Sequence, residues 1–376
     1  MSAHQGPAQR LPVPTRAWRG VLDTPVAVAV ATVAAAVLVT AGRSAPGTAV
    51  DVLTGPGASA GPAGAALLLA SLLVGLPHGA VDLLRPEVLD PGATPRSRRL
   101  ATAAYLGCAL TALGCWLLAP LPALLALLAL AAVHFGAADD VTARWRARGT
   151  GPLPPTLRVL QALAAGTVPV AVPLGLHGQA VEGVLDGLSG GHAPVVEAFA
   201  RAGTVVALTA AAATCVLALV RARWATAGET AALTALFTLV TPLLAFAVYF
   251  GLWHSWRQVT RMVATDALRE AVGPPVALRR FCRSAALPTA LTVVAGAVAV
   301  PAGGRSVLVV GLALVLCLTV PHSVVVARTD RGLRWTEPPA AVHGPVSGSR
   351  WVRSRWITAG AGAVRPAKSA RGPDEL

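Results

Sequence analysis

The chain has 376 residues, of which 55% are hydrophobic and 13% charged, and its mean hydropathy is +0.63. So few charges cannot cover a soluble surface, so the composition excludes a water-soluble multidomain protein and predicts an integral membrane protein. The net charge of +14 comes almost wholly from arginines in short clusters between apolar runs, a pattern that excludes a continuous nucleic-acid face and follows the positive-inside bias of membrane proteins.

Residues 1–23 read as a basic tail without the apolar core and small-residue cleavage site of a secretory signal. A helix needs about 20 apolar residues to cross a hydrocarbon layer of about 30 Å. Nine segments approach that length, near 24–42, 63–84, 100–119, 121–138, 157–176, 194–220, 229–256, 284–301 and 305–327. The acidic, glycine-rich stretch 178–191 reads as a linker, and residues 328–376, rich in Arg, Pro, Gly and Ser, as a disordered basic tail. The predicted fold is therefore an all-α polytopic transmembrane bundle over 24–327, placed in the cell membrane. Lys368, the single lysine, lies outside every apolar segment, so no helix carries a Schiff-base lysine and an opsin-type pigment is excluded. Cys108, Cys115, Cys215, Cys282 and Cys317 show no metal-binding spacing and read as small apolar packing groups.

Arginine clusters at Arg10/Arg16/Arg19, Arg85/Arg96/Arg98/Arg99, Arg144/Arg146/Arg148 and Arg221/Arg223 place the N-terminus and alternate loops in the cytoplasm. Strict alternation then strands Arg257, Arg261, Arg269, Arg279, Arg280 and Arg283 on the outside. Pro169 and Pro173 make the fifth segment the first choice for a non-spanning piece, which gives about eight crossings and two cytoplasmic termini. A split of the seventh segment at Pro242 is the alternative.

Eight histidines fall into two classes. His4, His177, His192 and His343 lie in tails or loops and read as solvated. His78, His134, His254 and His322 each lie near the C-terminal end of a long apolar segment, where an ionisable group is costly and marks an interior site or partner. Proline precedes His78 and His322, and small residues flank His134 and His254. Asp82 and Asp139 follow their histidines by about a helical turn and read as acceptors for a ligating imidazole's distal N–H, or as partners of nearby arginines. Three or four imidazoles suit a mononuclear iron, copper, zinc or nickel site. Two other classes stay open from the residues alone: a haem-binding electron carrier with axial histidine pairs, and a histidine-dependent membrane transporter.

The motifs PHGAVD at 77–82, HFGAAD at 134–139, YFGLWHSWR at 249–257 and VPH at 320–322, in that order on apolar helices, resemble the Brp/Blh family of β-carotene 15,15′-dioxygenases from about 63 to 327. The resemblance implies a multi-pass membrane enzyme that uses Fe(2+) and O₂ to split β-carotene at its central double bond into two all-trans-retinals. It implies ligand roles for His78, His134 and His254, with His322 fourth by position. Where the family's third motif has a second histidine, this chain has Gln258, for which two outcomes are expected: a weak amide-oxygen ligand, or an under-coordinated iron with activity altered or lost. Phe135, Tyr249, Phe250, Trp253 and Trp256 flank the histidines and are expected to line the polyene channel. The lipid bilayer is the expected surroundings, and no nucleic-acid partner is implied.

Overall fold

A computed structural model describes residues 21, 23–24, 26–32, 71, 73–84, 92–147, 151–303 and 306–332. Most of both predicted tails, together with Arg10, Arg16, Arg19, Arg85 and Arg148, lies outside them. Helix is the regular structure of the described residues, with no strand among them. In chain order, α1 covers the helical residues of 21–32, and α2 runs over 73–80 into a 3₁₀ turn, Val81–Leu84. Next come α3 (Pro95–Leu118), α4 (Pro120–Ala147), α5 (Pro155–Leu176), α6 (Gly178–Ser189), α7 (Ala193–Val220) and α8 (Trp224–Leu239). A short α9 (Pro242–Ala247) leads through a π-helical segment, Val248–Ser255, into α10 (Trp256–Arg269), followed by α11 (Pro274–Gly303) and α12 (Val307–Gly332).

Among the described residues, five helices are long and apolar enough to cross a membrane: α3, α4, α5, α7 and Leu308–Asp330 within α12. Small residues let these helices meet backbone to backbone. At the α4–α5 crossing, a Cβ on Gly136 would strike the Ala162 carbonyl oxygen and one on Gly166 the Ala132 carbonyl oxygen. On α7 the buried Ala200, Thr204, Ala207 and Ala211 recur at helical spacing, and Thr204 donates to the Ala171 carbonyl of α5 at 3.0 Å. Gly166→Val should therefore destabilise the protein by about 1–3 kcal/mol, since the clash is with backbone that cannot turn aside. Gly107→Val, where a Cβ meets nothing within 4 Å, should stay within about 0.5 kcal/mol of the parent. Unfolding midpoints in one detergent compare the two.

Four expectations are corrected. The fifth segment is not broken: α5 runs unbroken through Pro169 and Pro173, both buried among its neighbours. Packing on both sides holds a helix through prolines that remove single backbone bonds. The stretch 178–191 is not a plain linker, because Val181, Leu185 and Leu188 place an apolar stripe on α6 that packs on Leu124, Val196 and Val309. The seventh segment is where the chain reverses. Val240 is extended, α9 restarts at Pro242, and the Arg257 Nη2 donates to Glu229 Oε1 at 2.5 Å. In one straight helix residues 229 and 257 would lie about 42 Å apart, at about 1.5 Å per residue. The hairpin returns Arg257 to the end of the bundle that holds Arg146. The C-terminal tail also begins later than expected, since α12 continues to Gly332 and Asp330 accepts from Arg261 Nη1 at 3.2 Å.

Candidate metal centre

Each of the four apolar-segment histidines comes from a different element: His78 from α2, His134 from α4, His254 from the π segment and His322 from α12. All four are buried. Their ring centroids are 4.9 Å apart for His78–His322 and His134–His322, 5.1 Å for His134–His254 and 5.2 Å for His78–His254. One ring nitrogen from each of His78, His254 and His322 lies within 4.8 Å of the other two. His134 joins through its Nε2, 3.3 Å from His254 Nε2.

Hydrogen bonds at the far ring nitrogens fix how these imidazoles face. The His322 Nδ1–H donates to Asp82 Oδ2 at 2.5 Å, and the His78 Nδ1–H donates to the Gly75 carbonyl. Both rings are thereby left with a bare Nε2 lone pair, the form in which imidazole ligates. His322 Nε2 is buried and has no hydrogen-bond partner. A buried orphan of that kind is costly, and a cation among the four rings would satisfy it. The donor set therefore fits a metal held by imidazoles, with the Asp82 carboxylate orienting one of them.

The two aspartates take different ones of the two roles open to them, Asp82 as acceptor for an imidazole and Asp139 as partner of an arginine. Asp82 serves His322 across the bundle and not His78 on its own helix. Asp139 lies away from His134: its Oδ1 accepts from Arg257 Nη1 at 3.1 Å and its Oδ2 from the Trp253 indole at 3.4 Å. Gln258 is buried, and its amide oxygen accepts from Arg261 Nη2.

The π segment gives His254 its setting. The Ser255 hydroxyl donates to the Phe250 carbonyl five residues back at 2.6 Å, matching the wider turn. Such segments occur mostly as single wide turns at functional sites.

The histidines form one wall of a chamber with about 630 Å³ of empty space, otherwise lined by Leu76, Tyr105, Phe135, Phe250, Val315 and neighbouring small groups. A second, apolar cavity of about 950 Å³ adjoins it, sharing Phe135, Phe250, Val315 and Thr319. Of the five aromatics expected along a channel, Phe135 and Phe250 line these spaces. Tyr249 is fully buried in the helix core, Trp253 lies beneath the Arg257 guanidinium at 4.3 Å, and Trp256 is half-exposed, its indole donating to the Val21 carbonyl at 2.9 Å.

Sequence reasoning missed the group that ties the site together. Arg257 bridges Asp139 and Glu229, and Arg146 also donates to Glu229. The signal was present, because Glu229 is a carboxylate inside an apolar run.

A family model described as beta-carotene 15,15'-dioxygenase matches residues 69–330. The chain is 32% identical over 318 residues to a protein of Halobacterium salinarum named probable beta-carotene 15,15'-dioxygenase Blh, a match that covers 75% of this chain and 89% of that relative. No solved structure matches the chain.

Proposed function

Since the chain belongs to the β-carotene 15,15'-dioxygenase family, we propose that it is a cell-membrane enzyme that splits β-carotene at its central double bond with O₂, giving two molecules of all-trans-retinal. The observation that carries this reading is the meeting of four buried histidines in the wall of an apolar chamber. His78, His134, His254 and His322 would hold Fe(2+). Bound there, iron supplies the redox chemistry by which O₂ reacts with an alkene.

The protein's own residues bind, orient and exclude water. The apolar walls of the two adjoining cavities take the hydrocarbon and keep the reacting region dry. Phe135 and Phe250 stand between the cavities, placed to hold the chain on either side of the histidines. Asp82 and the Gly75 carbonyl hold the Nδ1 protons of His322 and His78, which keeps both Nε2 lone pairs facing inward. Adding O₂ across a C=C bond to give two carbonyls transfers no net proton, and among the described residues that line the chamber there is no carboxylate. Positioning is thus the main task of this chain.

Expression in a β-carotene-producing host, followed by extraction and chromatography, tests the reading. Retinal should accumulate as the cleavage product. Unchanged β-carotene with the protein present in the membrane would overturn the enzyme, and aldehydes of other chain lengths would overturn central cleavage. An intense Soret band in the purified protein would instead identify a haem carrier.

A further inference from the structure

α3 is the peripheral helix of the bundle. Only 11% of its apolar window is buried inside the protein, against 33–50% in the other four candidate spans. Its buried anchor is Trp116, near the C-terminal end, where the indole donates to the Leu188 carbonyl at 2.7 Å. Toward its N-terminal half, α3 and α12 leave a groove with about 680 Å³ of empty space between Thr102, Tyr105 and Cys108 on one side and Pro321, Val324 and Val325 on the other. Val324, at one lip, is exposed on the apolar outer face of α12.

The groove is continuous with the candidate site in two ways. Tyr105 lines both the groove and the histidine chamber. Asp82 forms part of the groove wall, and its carboxylate is already engaged by His322. The groove thus opens beside the histidines on the least covered flank of the bundle. A long hydrocarbon is dissolved in the bilayer and not in water, so it must come to the chamber sideways, between helices.

Resting on the proposed activity, we propose that the α3–α12 groove is the passage by which the polyene moves between the bilayer and the histidine chamber, with the Tyr105 ring as its door. The occupant is an apolar, rod-shaped hydrocarbon, because Ala101, Ala104, Pro321, Val324 and Val325 line the groove and the Asp82 carboxylate among them is already held by the His322 Nδ1–H, with Arg328 as a further charged residue of the wall.

Cys108 gives a native probe on the groove wall. In a chain with Cys115, Cys215, Cys282 and Cys317 replaced by Ala, reconstituted in vesicles, β-carotene should slow alkylation of Cys108 by a lipid-soluble maleimide by about threefold or more, as occupancy of a shared site requires. This readout needs no turnover, so it separates failure of the passage from failure of the enzyme reading, which the unlabelled parent reports by its retinal formation. Val324→Trp, made in the unaltered chain, should lower kcat/KM for β-carotene about fivefold or more with iron content unchanged. Leu110→Trp, an exposed α3 position outside the groove, should change neither. Equal alkylation of Cys108 with and without β-carotene, or a Val324→Trp enzyme with the parent's kcat/KM, would overturn the passage.

Discussion

Alanine in place of His78, His134, His254 or His322 is expected to abolish iron binding and retinal formation together. The parent should hold about one iron per chain, as a single cluster of imidazoles allows. Each ring reaches the cluster from a separate element, so no neighbouring side chain replaces a lost one. Asp82→Asn should give a graded result, because the amide oxygen can still accept from His322 Nδ1 but without the charge: about a 10–100-fold loss of iron affinity. His177→Ala is the control, since that ring lies at the end of α5 against the Thr238 carbonyl at 3.2 Å, outside the chamber. Metal analysis of purified variants together with retinal chromatography reads all of these. Full iron content in the His78, His254 and His322 variants would sink the assignment.

The four histidines were legible because an ionisable side chain near the end of an apolar run is conspicuous whatever the fold. Their partners were not. Spacing along a helix puts Asp82 one turn beyond His78, yet side chains on a helix lean back toward its N-terminus, so the His78 ring lies over the preceding turn and meets Gly75. Asp139 follows His134 by five residues, which turns it about 140° around the helix at about 100° per residue and faces it toward Arg257. Hydropathy located α3, α5, α7 and α12 within about five residues and the start of α4, because length and apolarity are local properties; α4 runs on to Ala147, past the expected end at 138, because its last turns carry Asp139, Asp140, Arg144 and Arg146. The hairpin at Val240-Thr241-Pro242 escaped because three residues with only one polar side chain barely lower the hydropathy of a segment whose two arms are both apolar. Proline was weighed wrongly for a similar reason. Pro169 and Pro173 sit in a helix clamped by its neighbours, whereas Pro242 starts a new one.

That hairpin brings Arg257 to the position from which the last expected result follows. Its guanidinium is 4% exposed; it donates to Asp139 on α4 and Glu229 on α8, and it covers the Trp253 ring of the π segment. One planar fork thus ties the helix that carries His134 to the segment that carries His254, a geometry that an ammonium group does not reproduce. Arg257→Met removes the cation and leaves two buried carboxylates, Glu229 keeping only Arg146. Breaking a buried ion pair from one side costs about 3–5 kcal/mol, mostly the cost of the stranded charge. The unfolding midpoint should fall accordingly, and iron affinity should fall about 10–100-fold, the usual effect of losing a residue that orients ligands. Arg257→Lys should lie between the two. The combined variant Arg257→Met, Asp139→Asn, Glu229→Gln removes the stranded charges and should recover most of the stability but not the iron affinity, because the packing returns while the fork that sets the His134–His254 spacing does not. If iron affinity recovered together with stability, Arg257 would hold the fold alone; if Arg257→Met changed neither quantity, the bridge between the two histidine-bearing elements would have no energetic weight.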